Sequence, residues 1–182
     1  MIISLRGTNG AGKSTIVRKI MNLFQTELAM YEAGRKKPLG QVLAHPKKDS
    51  DGPGIMVPGH YLIQNGGVDT LPSLDKAYEL IRTADDKGVN VLYEGKNMSD
   101  GAGRLIALKD EGRRVAAVCI KISDKDALAA VRQRGHKIKA ETIKKLNEKT
   151  TREVETFKKA GVPVFYLGRA AALKKVRELL GV

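Results

Sequence analysis

Tryptophan is absent from this 182-residue chain, cysteine occurs once, and aromatic residues make up only 4% of it. Each scarcity closes off a class of protein. With Cys119 alone there is no internal disulfide, so the core must hold the fold, as suits a reducing cytoplasm. No stretch approaches the about 18 consecutive apolar residues of a helical membrane span, so no membrane-embedded role is expected. The start, MIISL, reads directly as a strand without the basic, apolar and small-residue succession of a secretory leader, and the expectation is a cytoplasmic protein. Acidic residues are also short: 20 Asp and Glu stand against 33 Lys and Arg, a net charge of +13. Such a balance favours polyanionic partners through steering and counterion release.

What is present is an alternation of strands and helices within a length that suits one domain, taken as residues 1–182. Ile2 to Leu5 reads as a strand buried on both faces. After a glycine-rich turn, Ile16, Ile20, Phe24 and Leu28 recur every four residues with Val17 and Met21 alongside, the stripe of a helix packed on a sheet. From Tyr31 to Pro58 the pattern breaks up, and QVLA and GIMV read as two short strands around an exposed loop. A helix from near Ser73 to near Gly88 precedes a strand over Val89 to Tyr93. Leu105 and Leu108 mark another helix and Val115 to Ile122 another strand. Ser123 or Asp124 can cap a helix over Asp126 to Arg132. A long amphipathic helix carries Ile143, Leu146, Val154 and Phe157, and a strand from Val162 to Leu167 and a helix from Ala170 to Leu180 close the chain. Together these predict an α/β fold: a mostly parallel sheet with helices on both faces and its ligand crevice at the carboxyl ends of the strands.

Gly7-Thr8-Asn9-Gly10-Ala11-Gly12-Lys13-Ser14 matches G-x-x-x-x-G-K-[ST] between a predicted strand and a predicted helix, the context such a phosphate-binding loop requires. Its glycines let successive backbone N–H groups turn inward, and the helix that begins near Lys13 adds its positive dipole end. ATP is therefore the expected ligand, held by residues 7–14 and Thr15. Lys13 would reach the β- and γ-phosphates and Ser14 would ligate Mg²⁺. The base-reading Asn-Lys-x-Asp of a GTPase is missing, so the reading narrows to a P-loop NTPase of the kinase type.

A kinase needs a metal-side acid, a base near the acceptor and mobile arginines over the transferring phosphoryl group. Glu94, closing the strand VLYEG, is placed to hold the Mg²⁺ shell. Arg132 and Arg134 of VRQRGHK can spread their planar forks over phosphate oxygens, within a basic lid near residues 132–150. In PGHYLIQNGGVDT, Asp69 follows a glycine pair at the opening of the crevice and is the preferred general base, with His60 in reserve. Tyr61 and Asn65 can flank the acceptor.

GTNGAGKST, VLYEG and RQRGHKIKAETIKKLNEK resemble the polynucleotide kinase-like branch of P-loop kinases. With GHY and GGVDT added, the assembly resembles the small bacteriophage kinases that phosphorylate 5-hydroxymethyl pyrimidines, such as 5-hydroxymethyluracil, within DNA. The resemblance implies transfer of the ATP γ-phosphoryl group to a base-borne hydroxymethyl in polymeric DNA, inside the host cytoplasm. It assigns cradle roles to Lys13 and Ser14, the base role to Asp69 and lid roles to Arg132 and Arg134. Glu94 stands where the family usually has an Asp.

Between Arg132 and Lys159 ten basic residues face four acidic ones, a local excess of six that could follow a DNA backbone. Several of those charges, such as Glu141 with Lys145 and Glu148 with Arg152, also sit at the four-residue spacing of helix-stabilising pairs. A base inside a duplex must be extruded before its hydroxymethyl can be reached, and Tyr61 is the expected aromatic aid. Three readings stay open: a nucleic-acid hydroxyl kinase, a kinase for nucleoside monophosphates or another small molecule, and a nucleotide-binding switch that turns ATP over poorly.

Overall fold

A computed structural model of the chain describes residues 1–25, 27–46, 52–61, 66–95 and 101–182. Seven strands form one sheet: β1 (Ile2–Arg6), β2 (Glu27–Met30), β3 (Gly40–Leu43), β4 (Ile55–Pro58), β5 (Asn90–Glu94), β6 (Val115–Ile120) and β7 (Val164–Leu167). Among the described residues six α-helices cover it: α1 (Lys13–Met21), α2 (Leu74–Asp86), α3 (Ala102–Asp110), α4 (Asp124–Gln133), α5 (Ala140–Lys159) and α6 (Arg169–Leu180). The strand order is β2-β3-β4-β5-β1-β6-β7. From β4 to β7 all neighbours run parallel, and β3 is antiparallel to both β2 and β4.

The alternation of side chains across this sheet builds two cores. Ile2, Val91, Tyr93, Val115 and Ala117 pack under α2, α3 and α5, while Ile3, Leu5, Leu92, Val118 and Ile120 pack under α1 and α6. Strands buried on both faces read as unbroken apolar runs, which is why β1, β5 and β6 stand out in the sequence. Helix α4 packs on α5 through a smaller cluster of Ala127, Val131 and Ile143. Ser73 accepts from the Lys76 N–H and Ser123 from that of Asp126, so each caps its helix as its residue type favours.

One expectation fails. The helical stripe does not continue to Leu28, because α1 ends at Met21 and Leu28 belongs to β2, where it is exposed. The four-residue spacing of Phe24 and Leu28 is a coincidence of two elements: Phe24 packs in the α1 core, and Leu28 pairs with Val42 across the antiparallel ladder. The two short strands expected in QVLA and GIMV are β3 and β4. Residues 132–150 comprise the end of α4, a non-helical connector and the first half of α5, whose inner face is buried against the sheet and α4.

Candidate active site

The β1–α1 turn lies between the two central strands β5 and β6, so its glycines open at the carboxyl edge of the sheet. Gly10 has φ 82° and sits so close to α4 that a Cβ there would strike the Ala127 carbonyl. Gly12, the α1 N-cap residue, has φ 92°. Only glycine tolerates both the conformation and the approach at Gly10.

Lys13 Nζ donates to the carbonyls of Gly7 and Thr8 at 2.8 and 3.2 Å, which holds the ammonium across the loop. Burial lowers the Lys13 pKa, and the carboxylates of Glu94 and Asp69 oppose that shift. A cavity of about 830 Å³ opens here, and its walls include Asn9, Lys13, Ser14, Thr15, Asp69, Glu94 and Arg134. The sequence spreads these residues over more than a hundred positions, and the parallel topology brings them to one crevice.

Glu94 ends β5 with only 6% exposure. Burial raises its pKa, while the charge of Lys13 and the nearby hydroxyls of Ser14 and Tyr61 pull it down. One carboxylate oxygen, Oε1, is buried with no hydrogen-bond partner among the described residues. A buried carboxylate oxygen beside the Ser14 hydroxyl is a hard-oxygen donor set of the kind Mg²⁺ takes, so the residues present fit that ion. Among the described residues no group of three or more His, Cys, Asp or Glu is placed to hold a metal, at this site or another.

Asp69 lies exposed in a short 3-10 turn, Val68–Thr70, on the cavity wall opposite α4. That turn is braced from behind. Thr70 Oγ1 donates to the Gly67 carbonyl at 2.7 Å and accepts from the His60 N–H at 3.1 Å, and His60 bridges Gly67 in antiparallel fashion. The reserve base His60 is not on the cavity wall. It is buried at 1% exposure, and its pKa is lowered first by burial and then by Lys37 and Arg35. It therefore supports the Asp69 turn.

Tyr61 is a second departure. Its ring is 7% exposed within the α1 core, with the Arg18 guanidinium 5.8 Å from the ring centre, so it cannot serve as a wedge between bases. Burial and the neighbouring Glu94 carboxylate hold its phenol well above the usual range. Asn65 lies outside the described residues. The expected pair of arginines also divides: Arg134 faces the P-loop cavity, and Arg132 lines a separate recess with Gly135, Lys137 and Lys139. A helix turns about 100° per residue, so positions two apart near the end of α4 point to different sides. Within the loop, the Thr8 side chain is fully buried and reaches toward the Ile143 carbonyl at 3.5 Å, which leaves only its backbone for a phosphate.

Arg18 and Arg169 were not singled out by sequence reasoning. Arg18 lies one helical turn beyond Ser14, so the spacing itself places it on the cavity side of α1. Arg169 follows β7 at the carboxyl edge and donates to the carbonyls of Ala11 and Gly10, both at 3.0 Å. The signal for it was topological, since the turn that follows a parallel strand opens toward the crevice.

No family model matches the chain. A 5-hmdU DNA kinase of Pseudomonas phage PaMx11 is 32% identical over 189 residues, covering 98% of this chain and 96% of that protein. Deoxyadenosine kinase from M. mycoides, solved with bound dATP, aligns over the full length of both chains with a TM-score of 0.48 and 16% identity. The same enzyme with the products dCMP and dCDP gives a TM-score of 0.45 at 16% identity, covering 100% of this chain and 99% of that one.

Proposed function

The chain belongs to the family of the phage 5-hmdU DNA kinase, and from that premise we propose that it moves the γ-phosphoryl group of ATP to the 5-hydroxymethyl oxygen of uracil bases in DNA. The observation that carries the reading is one cavity walled by the P-loop, Lys13, Asp69 and Glu94. In this reading the backbone N–H groups of residues 7–15 cradle the phosphate tail, and Lys13 neutralises charge on the β- and γ-oxygens. Asp69 accepts the proton of the hydroxymethyl group as its oxygen bonds to the γ-phosphorus. The bond from that phosphorus to the bridging oxygen breaks, and ADP leaves with the electron pair. Arg134, with Arg18 on the opposite wall, balances charge spread over the transferring group. Arg132 is left to the lid surface.

Mg²⁺, held by Ser14 and Glu94, would neutralise charge between the β- and γ-phosphates. Burial of Glu94 serves that task, because a carboxylate oxygen without a protein partner gains most from a cation.

A DNA acceptor also suits the +13 net charge and the basic connector of Arg134, His136 and Lys137 at the cavity rim. Among the described residues no helix is long and apolar enough to cross a membrane, and with such an acceptor the enzyme would work beside phage DNA in the host cytoplasm. The test supplies ATP labelled on the γ-phosphate together with DNA bearing 5-hydroxymethyluracil, the same DNA bearing thymine, or a panel of nucleoside monophosphates. Label is expected only in the hydroxymethylated DNA. Label confined to monophosphates overturns the reading.

A further inference from the structure

The acceptor side of the crevice has a feature that phosphoryl transfer leaves unused. Met30 at the end of β2 pairs with Gly40 at the start of β3, and Gly40 pairs with Pro58 at the end of β4. Because β4 runs parallel to β5, the turn over residues 31–39 rises from the same edge of the sheet as Glu94 and the P-loop. It stands on the β4 side, where Asp69 is, and away from α4 and the basic connector.

This turn is attached to the Asp69 segment. Arg35 donates to the Thr70 carbonyl at 3.1 Å, next in sequence to Asp69, and Glu32 lies 3.9 Å from Lys76 on α2. The turn also presents what a nucleic-acid strand needs. Tyr31 is 61% exposed, the most exposed aromatic residue among those described, while Tyr61 and Tyr78 are buried. Lys36 and Lys37 are exposed beside it, and the turn has one acid, Glu32, 3.9 Å from Lys76, whose closer partner is Glu79 at 3.0 Å. The other exposed ring, Tyr166 at 37%, lies on the far edge strand β7 with Lys121 over it, remote from Asp69 in the strand order.

We infer that the β2–β3 turn is the docking element for the acceptor strand, with Tyr31 as a stacking face for a base and Lys36 and Lys37 as contacts to its phosphates. Cations with an interposed aromatic form the combination by which proteins hold single-stranded or extruded nucleotides. The linkage through Arg35 and Thr70 sets the strand at a fixed distance from Asp69, so docking and alignment of the hydroxymethyl group are one event. This inference rests on DNA being the acceptor, and its test reads binding rather than transfer.

The full chain is titrated into a fluorescein-labelled oligonucleotide containing 5-hydroxymethyluracil, and anisotropy is followed at several salt concentrations. Tyr31→Ala should weaken binding about five- to a hundredfold, and Tyr31→Phe should bind as the parent does, because the ring face is kept. Lys36→Ala with Lys37→Ala should flatten the dependence of log affinity on log salt by about 1.4, near 0.7 for each single-strand phosphate that is no longer neutralised. ATP affinity measured on the same variants confirms that the fold is intact. Parental affinity and salt slope in all of them would overturn the inference even if the parent phosphorylates DNA. Weaker binding in the variants with parental ATP affinity would support it, and the labelled-ATP assay decides separately whether the bound strand is the acceptor.

Discussion

Gly67 lies so close to Glu94 that a Cβ added to it would sit 2.8 Å from the glutamate Cγ and 2.9 Å from the Tyr61 hydroxyl. Its backbone, at φ 84° and ψ −159°, is in a region that side-chain-bearing residues scarcely enter. This glycine thus joins the Asp69 turn to Glu94 without a gap. Gly67→Ala should cost about 1–3 kcal/mol of stability from backbone strain alone. It should also reduce transfer more than it reduces ATP affinity, because both carboxylates shift while the P-loop does not. Urea denaturation and steady-state kinetics on one preparation separate the two effects.

Asp69 and Glu94 are two acids on one cavity, and their surroundings differ. Asp69 is exposed on a braced turn, as suits a group that meets an acceptor, and Glu94 is buried against Ser14. Asp69→Asn should lower kcat about 10²- to 10⁴-fold, the usual contribution of a positioned base, with ATP affinity nearly unchanged. Titration calorimetry with an ATP analogue beside steady-state rates checks this. A kcat within threefold of the parent would remove Asp69 from the base role.

Glu94 also predicts a pH dependence. Burial raises its pKa above the ordinary carboxylate value, so the free enzyme loses this negative charge as pH falls, earlier than an exposed glutamate would. The acid limb of the kcat/KM profile should therefore begin above the usual carboxylate range. Added Mg²⁺ should push it to lower pH, because a cation favours the ionised form. In Glu94→Gln that Mg²⁺-dependent displacement should vanish, and the Mg²⁺ concentration for half-maximal rate should rise.

Arg169 fixes the Gly10 and Ala11 peptide planes through two hydrogen bonds to their carbonyls. Hydrogen bonds to a charged donor are each worth about 1.5–3 kcal/mol, so Arg169→Ala should loosen the loop and raise the KM for ATP at least tenfold. Arg169→Lys should restore only part of the loss, because a single ammonium cannot reproduce the fork. The variants are compared by initial rates at saturating acceptor.

The sequence disclosed the parts of this molecule that obey local rules. The P-loop is one contiguous segment between β1 and α1, so its pattern carries its geometry. The order of strands and helices was equally legible, since β1, β5 and β6 are buried on both faces. The misreadings arose where geometry is non-local. Leu28 kept the helical spacing although the chain had already turned into β2. Tyr61 and His60, polar-tipped residues beside glycines, read as site groups, yet tertiary packing buries both. Arg169 gave no motif at all, because its role comes from where β7 ends beside the P-loop. Arg132 and Arg134 looked equivalent in VRQRGHK, and only helical rotation separates them.

Far from the crevice, Glu111 receives Arg82 and Arg113, and Arg113 also reaches Asp85 and Asp86, so this network fastens α2 to the segment before β6. Hydrogen bonds from Arg82 and then Arg113 pull the Glu111 carboxyl from 4.5 down to about 2. A carboxyl whose pKa is lowered by folding contributes stability above its unfolded value, and that contribution is lost as pH falls from about 4.5 to about 2. Its side chain is 35% exposed, so solvent screening limits the contribution to about 1 kcal/mol, well short of the full shift. Glu111→Gln should accordingly melt earlier than the parent at neutral pH, and the gap between the two should close as pH is lowered toward about 2. High salt at neutral pH should narrow the same gap, because the pair is partly screened there as well. Thermal denaturation of both proteins across that pH range measures the slope directly, and a gap independent of pH would show that the network contributes through packing of the arginine stems rather than through charge.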